Sequence, residues 1–234
     1  MNADGSNQKQ LTVDPHVNFK PAVSPDGSFI IFVSRRTGSA HLWRMDIDGT
    51  NLRQLTDRNT ESYPDISPDG RWIAYTSIDE GLPTIWKMAI DRDHGDPVRL
   101  TEKASSFPSI SPDGKLLACF YQDAPITSLK IPGTKIAIIP SAGGEPLKTF
   151  DVPANALVYP GLHWRADGRA LTYIDTQNEV SNIWSQPLDG GAPTKLTNFT
   201  AEQIFRFAWS PDGKQLIFER GFNVNDVVLL SNFD

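Results

Sequence analysis

Residues 63–77 read YPDISPDGRWIAYTS, and the phrase Ser-Pro-Asp-Gly at positions 67–70 determines how this stretch folds. Proline presets φ for a turn, aspartate can hydrogen-bond nearby backbone, and glycine accepts a positive φ. A type I turn closed by a glycine bulge joins two antiparallel strands. We therefore predict a hairpin in which one strand ends at Ile66 and the next runs from Trp72 to Tyr75.

The same phrase recurs along the chain. Its five copies occupy residues 24–27, 67–70, 111–114, 165–168 and 210–213, although residues 165–166 read Arg-Ala instead of Ser-Pro. The turn aspartates are separated by 43, 44, 54 and 45 positions. The longer interval indicates an insertion of about ten residues, and a loop from Gln122 to Thr134 accounts for most of it. Because five copies occupy one kind of turn, we interpret these aspartates as structural.

The segments after each turn complete a repeating unit. The strand that follows the turn is apolar almost throughout, as in Phe29–Val33 and Leu116–Phe120, which predicts burial on both faces. A third strand, a glycine-containing turn and a polar fourth strand follow, as in residues 41–56. A four-stranded antiparallel sheet of this kind cannot cover its own faces, so neighbouring sheets must stack around an axis. The sequence thus predicts an all-β fold, a β-propeller.

The chain ends match complementary parts of one unit. Residues 10–12 read Gln-Leu-Thr, as residues 54–56 do, and residues 226–234 stop around the end of a third strand. We predict a single domain, a five-bladed propeller closed by the N-terminal strand, which completes the C-terminal blade. The predicted blades span residues 13–56, 57–101, 102–150, 151–197, and 198–234 together with 1–12. A fragment of a larger ring would have the same phase and stays an alternative.

Composition excludes several classes of protein. The net charge of −6 and the absence of a basic cluster argue against binding to nucleic acid or to anionic membranes. No apolar run is long enough for a membrane span, and residues 1–12 lack the features of a signal peptide. The single cysteine, Cys119, is expected in the core, and a monomer is expected.

The stretches at 41–56 and 63–77, HLWRMDIDGTNLRQLT and YPDISPDGRWIAYTS, resemble the WD40-like (PD40) propeller repeat of the TolB family. The resemblance covers all five units. It implies a bacterial propeller that binds a protein or peptide, as a sensor or interaction domain of a larger signalling or envelope protein. TolB, after which the family is named, is periplasmic, so the resemblance favours a periplasmic or extracytoplasmic location, although the compartment stays open. Other propellers of this kind gate peptidases or catalyse oligogalacturonate cleavage.

The sequence offers little support for catalysis. It lacks the G-x-S-x-G pentapeptide of serine hydrolases, and its histidines lie at unrelated repeat positions, which is typical of surface residues. We predict no catalytic residue, no metal and no cofactor, and hence a non-catalytic binding or scaffolding module. The alternative is a gating or catalytic propeller of a peptidase or polysaccharide lyase whose other parts are absent.

Candidate binding residues follow from the register of the repeat, because the first strand of each blade lies nearest the channel. Four positions before the turn aspartate stand Asp65, Ser109 and His163, which we expect to converge in the channel. Two positions further back stand Lys20, Tyr63, Phe107 and Arg206, which we expect at one mouth as contacts for a partner peptide. The structural alternative is that small or polar residues fit where the blades crowd the axis.

Overall fold

The computed structural model describes residues 6–58, 60–91, 96–122, 134–152, 161–210 and 212–222, and these contain eighteen β-strands. The first sheet consists of β1 (Asn18–Val23), β2 (Phe29–Thr37), β3 (Ser39–Asp46) and β4 (Arg53–Gln54). The second consists of β5 (Thr60–Ile66), β6 (Trp72–Asp79), β7 (Leu82–Ala89) and β8 (Val98–Arg99). The third consists of β9 (Ser105–Ile110), β10 (Leu116–Gln122), β11 (Thr134–Pro140) and β12 (Lys148–Asp151). The fourth consists of β13 (His163–Trp164), β14 (Ala170–Gln177), β15 (Val180–Pro187) and β16 (Thr194–Lys195), and β17 (Gln203–Trp209) pairs with β18 (Leu216–Gly221).

All strand pairs within these sheets are antiparallel, and strand order in each sheet follows the chain. The predicted all-β propeller with four-stranded antiparallel blades is therefore confirmed. The structure shows four such blades and not five, because the fifth repeat contributes only β17 and β18 to the described residues. The third strand predicted at residues 227–230 and the tip of the loop 122–134 lie outside the described residues, and residues 6–12 form no strand. No helix that could cross a membrane is found in the part of the chain described above.

The second strand of each complete blade is buried on both faces. In β2, Phe29, Ile31 and Val33 pack toward the second sheet, whereas Ile30 and Phe32 pack on the opposite face. The same alternation holds in β10, where Cys119 faces the second sheet and Phe120 faces the fourth. Apolar side chains from consecutive sheets thus form one shared core at each junction, because successive residues of a strand point to opposite faces. The core position predicted for Cys119 is confirmed, since its side chain is fully buried.

The Ser-Pro-Asp-Gly phrase closes each hairpin with the same bonds. The serine hydroxyl donates to the turn aspartate at 2.6 Å in four copies, and the glycine N–H donates to the carbonyl at the first position of the turn in all five copies. The hydroxyl of Ser24 and the backbone and hydroxyl of Ser28 hold the pKa of Asp26 down to about 2. These aspartates are occupied as turn acceptors, which agrees with a structural role.

The recurring Leu-Thr pair after the fourth strand also has a structural role. The hydroxyl oxygens of Thr56, Thr101 and Thr197 accept hydrogen bonds from the backbone N–H groups of Leu42, Ile85 and Ile183, each at 2.9 Å. Thr101 is buried, so water cannot replace it as the acceptor for the N–H of Ile85. The threonine fastens the outer edge of a blade to its third strand.

The N-terminal segment packs on the first sheet in the same way as the outer edge of one blade packs on the next. A Cβ placed on Gly143 in the third blade would lie 3.3 Å from Cδ2 of Leu100, which follows the fourth strand of the second blade. A Cβ placed on Gly49 in the first blade would lie 3.5 Å from Cδ2 of Leu11. Leu11 therefore occupies, relative to the first blade, the position that Leu100 occupies relative to the third.

Replacing Thr101 with valine tests the role of the Leu-Thr pair. We expect Thr101→Val to lower the free energy of unfolding by about 1–3 kcal/mol, because the buried N–H of Ile85 loses its acceptor while the volume of the side chain is kept. Urea unfolding measures the effect. Thr194→Val, in the exposed strand β16, is the control and should change stability by less than about 0.5 kcal/mol. Equal effects of the two substitutions would contradict this role.

Candidate functional site

The inner strands of all five repeats converge on one cavity of about 290 Å³, which we call the central cavity. All seven residues predicted from the repeat register line it: Lys20, Tyr63, Asp65, Phe107, Ser109, His163 and Arg206. Six further lining residues were not predicted as site residues, namely Pro21, Pro64, Pro108, Gly161, Leu162 and Phe207. Every lining residue stands four, five or six positions before a turn aspartate, so the repeat itself could have identified the additional six.

A β-bulge in the inner strand presents the residues at the mouth. In the first three blades two consecutive residues of the inner strand, beginning at Lys20, Tyr63 or Phe107, face a single residue of the second strand. Each bulge ends in proline, which has no N–H to donate to the ladder. The first bulge residue has φ of +53° at Lys20, +53° at Tyr63 and +57° at Phe107. Positive φ is strained for these residue types, and a β-bulge turns a side chain away from the direction of the regular strand.

The side chains at the mouth contact one another from blade to blade. The Nζ atom of Lys20 lies 4.9 Å from the ring centroid of Tyr63. The rings of Tyr63 and Phe107 are 4.0 Å apart between centroids and tilted by 42°. The equivalent residue in the fourth blade is Gly161, where an added Cβ would lie 4.0 Å from Cδ1 of Phe107. The mouth therefore has a cationic and aromatic wall, and a gap where the fourth blade has no side chain.

Asp65 joins two blades beneath this wall. Its Oδ2 accepts a hydrogen bond of 2.6 Å from the N–H of Ile110 in the third blade, and its Oδ1 accepts one of 3.1 Å from the N–H of Ile66. Burial raises the pKa of Asp65 to about 6, although both N–H groups act in the opposite direction. The adjacent junction has a similar link, because Nε1 of Trp164 donates to the carbonyl of Ser109 at 2.9 Å.

His163 lies on the opposite wall of the central cavity. Its ring packs edge to face on Phe207 of the fifth repeat, with the centroids 4.6 Å apart. Burial lowers the pKa of His163 to about 4, so the imidazole is neutral at pH 7. Neither ring nitrogen has a hydrogen-bond partner among the residues that the structure describes. The neutral ring can therefore offer one donor and one acceptor to a ligand.

Arg206 brings a second cation to the lining. It lies in β17, its side chain is exposed, and its repeat position corresponds to that of Lys20 in the first blade. The bulge in β17 differs from the others, since it holds only Phe205 between the paired residues Ile204 and Arg206. The cavity thus combines two cations and the aromatic rings of Tyr63, Phe107 and Phe207 with one acid whose oxygens accept hydrogen bonds from backbone N–H groups.

The remaining histidines do not add a catalytic cluster. His41 was expected at the surface and is instead buried, where its Nδ1 lies 2.6 Å from Oε2 of Glu61 in the next blade. The hydroxyl of Thr56 donates to the same oxygen at 3.1 Å. His16 is exposed, and His94 lies outside the described residues. Within the described ranges no group of three or more His, Cys, Asp or Glu side chains is placed to hold a metal ion.

The two titratable groups of the cavity should affect stability with opposite signs. Asp65 is more easily ionised in the unfolded chain, so stability present below pH 4 is lost as pH rises toward 6. His163 is more easily protonated in the unfolded chain, so stability present above pH 6.5 is lost as pH falls toward 4. We expect the two contributions largely to offset each other in the unmodified protein.

Substitutions separate the two contributions. Relative to the unmodified protein, Asp65→Asn should gain unfolding free energy on the order of 2 kcal/mol between pH 4 and pH 7, and His163→Gln should lose a similar amount. Urea unfolding at several pH values measures both slopes. His16→Gln, at an exposed site, is the control. Slopes that match the unmodified protein in both cavity variants would show that neither group is desolvated in the fold.

Comparisons with known proteins agree with this architecture. The family described as the TolB beta propeller domain (PD40) matches residues 1–145. A structure assigned to TolB of Agrobacterium tumefaciens is 21% identical, has a TM-score of 0.71, and is matched over 90% of this chain and 72% of that one. TolB of Acinetobacter baumannii is 17% identical, with a TM-score of 0.66 and coverage of 94% and 58%. Oligogalacturonate lyase of Vibrio parahaemolyticus is 15% identical, with a TM-score of 0.64 and coverage of 91% and 62%.

A relative found by sequence similarity is matched over a much smaller part of this chain. An uncharacterized protein of Agrobacterium fabrum is 39% identical over 57 residues, which make up 24% of this chain and 20% of that protein. This chain therefore spans about a fifth of the curated relative that it matches. The structural neighbours at this level of identity establish the fold alone, and they include both TolB and an enzyme. Since the family match extends over more than half of the sequence, the chain belongs to the TolB β-propeller (PD40) family.

Proposed function

We propose that this propeller is a non-catalytic module that binds a protein or peptide partner at the mouth of the central cavity. The observation that carries the proposal is the convergence of Lys20, Tyr63, Phe107 and Arg206, which occupy one repeat position on four different strands, around a single cavity. Tyrosine and arginine are favoured anchors of protein interfaces. Next to the mouth the inner strands of neighbouring blades bond each other, through Asp65 to the N–H of Ile110 and through Trp164 to the carbonyl of Ser109, so these groups are less available to a ligand.

Backbone strain supports the same assignment. Lys20, Tyr63 and Phe107 all have positive φ, although glycine would adopt this conformation without strain. Strained residues of this kind are retained where the surrounding structure holds them, and they are concentrated at binding and catalytic sites. The three strained residues here are also the ones whose side chains form the wall of the mouth, which is the arrangement expected of a binding surface.

A peptide selection tests the proposal. A random peptide library displayed on phage is panned against the purified propeller, and the affinities of the enriched peptides are measured by calorimetry. We expect Tyr63→Ala and Arg206→Ala each to weaken binding by about tenfold or more, because anchors of an interface carry most of its free energy. Lys115→Ala and Lys214→Ala, both at exposed sites in turns, should leave the affinity unchanged.

Two results would contradict the proposal. One is a set of enriched peptides that bind all four variants equally well, because the binding surface would then lie elsewhere. The other is turnover of a polysaccharide or peptide substrate, or metal bound by His163 and Asp65, which would favour the enzymatic alternative. That alternative is a gating or catalytic propeller that acts with further parts of a peptidase or polysaccharide lyase.

We also propose a place for the module in a larger bacterial protein. The match to only a fifth of the curated relative supports a domain within a longer signalling or envelope protein, where it would act in sensing or interaction. An extracytoplasmic location is part of this proposal and follows from the family alone.

We further propose that the chain forms one domain of five blades, in which the N-terminal segment completes the last blade. The packing of Leu11 on Gly49, which matches that of Leu100 on Gly143, supports it. The apolar exposure of β18 supports it as well, because Ile217 is 67% exposed whereas the second strands of the other blades are buried. Completion of the fifth sheet would cover this strand.

Charged substitutions in the N-terminal segment test the closure. Leu11→Asp should lower the free energy of unfolding by about 2 kcal/mol or more, because it places a carboxylate against the apolar face formed by Ile30, Phe32 and Met45. Val13→Asp is the control, since Val13 is 88% exposed and its substitution should have little effect. Thermal unfolding compares the two variants. Similar midpoints would contradict a structural role of the segment.

A further inference from the structure

The depth of the central cavity limits what can enter it. Each repeat contributes two or three consecutive residues to its lining, and three residues correspond to roughly 10 Å of extended chain. At the last of these positions the inner strands are linked to each other, through Asp65 to the N–H of Ile110 and through Trp164 to the carbonyl of Ser109. A volume of about 290 Å³ corresponds to roughly ten water molecules. The cavity therefore suits a short group or a chain end.

The charges of the lining favour an anion. Lys20 and Arg206 supply two positive charges at the same repeat position. Asp65 is the only acidic residue of the lining, both of its oxygens accept backbone hydrogen bonds, and its raised pKa reduces the charge it carries near pH 6. The chain as a whole has a net charge of −6, so a cationic cavity is a local exception to its overall charge. An anionic group entering the cavity would gain charge-assisted hydrogen bonds from these two side chains.

Another part of the lining is apolar. The stacked rings of Tyr63 and Phe107 form one wall, and Gly161 leaves space beside Phe107. Leu162 and Phe207, both buried, continue this surface toward the floor. The neutral imidazole of His163 stands among them as a hydrogen-bonding group that no described residue satisfies. A ligand that carried only charge would leave this apolar wall in contact with water.

We infer that the central cavity binds a carboxylate joined to an apolar side chain, with the carboxylate between Lys20 and Arg206 and the apolar group against Tyr63 and Phe107. Such a group occurs at the C-terminus of a peptide that ends in an apolar residue. It also occurs where an acidic residue adjoins an apolar one. The inference rests on the proposed function, and it adds the chemical class of the bound segment.

Matched small probes test the inference by NMR titration of the purified chain. The first pair is N-acetyl-phenylalanine, with a free carboxylate, and its neutral primary amide. The second pair is a blocked glutamyl-phenylalanine amide and the blocked glutaminyl equivalent, which separates a side-chain carboxylate from a chain end. We expect at least one carboxylate to bind about tenfold more tightly than its amide, because charge-assisted hydrogen bonds are lost in the amide. Raising the salt concentration from about 20 mM to about 300 mM should reduce this ratio.

Variants connect the probes to the cavity. Lys20→Met and Arg206→Met should each weaken binding of the favoured carboxylate by about fivefold and leave the amide unaffected, because methionine keeps an apolar stem of similar length. Lys115→Met and Lys214→Met remove exposed cations elsewhere and should change neither probe. Equal affinities for acid and amide in both pairs would overturn the inference, as would a ratio that survives in both cavity variants.

The result of the probe titrations can be distinguished from the result of the peptide selection that tests the proposed function. If selected peptides depend on Tyr63 while every acid and amide pair binds equally, the module binds peptides and the carboxylate inference alone fails. If the acids are preferred and depend on Lys20 and Arg206 while no peptide is enriched, the cavity takes a small carboxylate and the peptide proposal fails.

Discussion

The structure depends on the burial of each blade's second strand on both faces. Strand β2 places Ile31 in the core shared with the next blade and Phe32 in the core on its other face, so neither face is left for solvent. A single four-stranded sheet with two apolar faces would be unstable alone, because both of these faces would stay in contact with water. The blades are therefore stable only in contact with one another, and the inner strands are brought together at the axis as a consequence. The central cavity results from this packing.

The spacing of the repeats predicted which residues converge on the central cavity, and no sequence motif did so. The residues Lys20, Asp65 and His163 share no chemistry, and they were grouped only by their distance from a turn aspartate. That grouping succeeded because antiparallel hairpins of equal register place equivalent residues at equal depth. The positive φ at Tyr63 was not foreseen, although the proline after it is a residue that interrupts regular pairing. Gly161 shares this repeat position but was not predicted, because only aromatic and cationic side chains were selected there as contacts and glycine has none.

The sequence pattern did not predict the polar contacts between blades. His41 was expected at the surface, yet it lies buried against Glu61, which is 20 residues away and belongs to another sheet. Asp65 bonds the N–H of Ile110, 45 residues along the chain. Periodicity reveals which face of a strand is apolar, but it does not reveal which polar group of the next blade lies opposite. The completeness of the fifth sheet likewise depends on residues that are distant in sequence, and there the structure describes two strands.

The bulge at the mouth allows the lining of the central cavity to vary between repeats of one propeller. Within each bulge the residue at the first position lines the central cavity, whereas the neighbouring second strand packs in the cores between blades. Lysine, tyrosine, phenylalanine and glycine all occupy this position in one chain, at residues 20, 63, 107 and 161. The residue at this position therefore varies, while the turn and the second strand, which build the fold, recur in each repeat. A duplicated blade could change the lining of the central cavity by altering a single side chain at this position, although at Phe107 the substitution would also reach the core shared with the fourth blade.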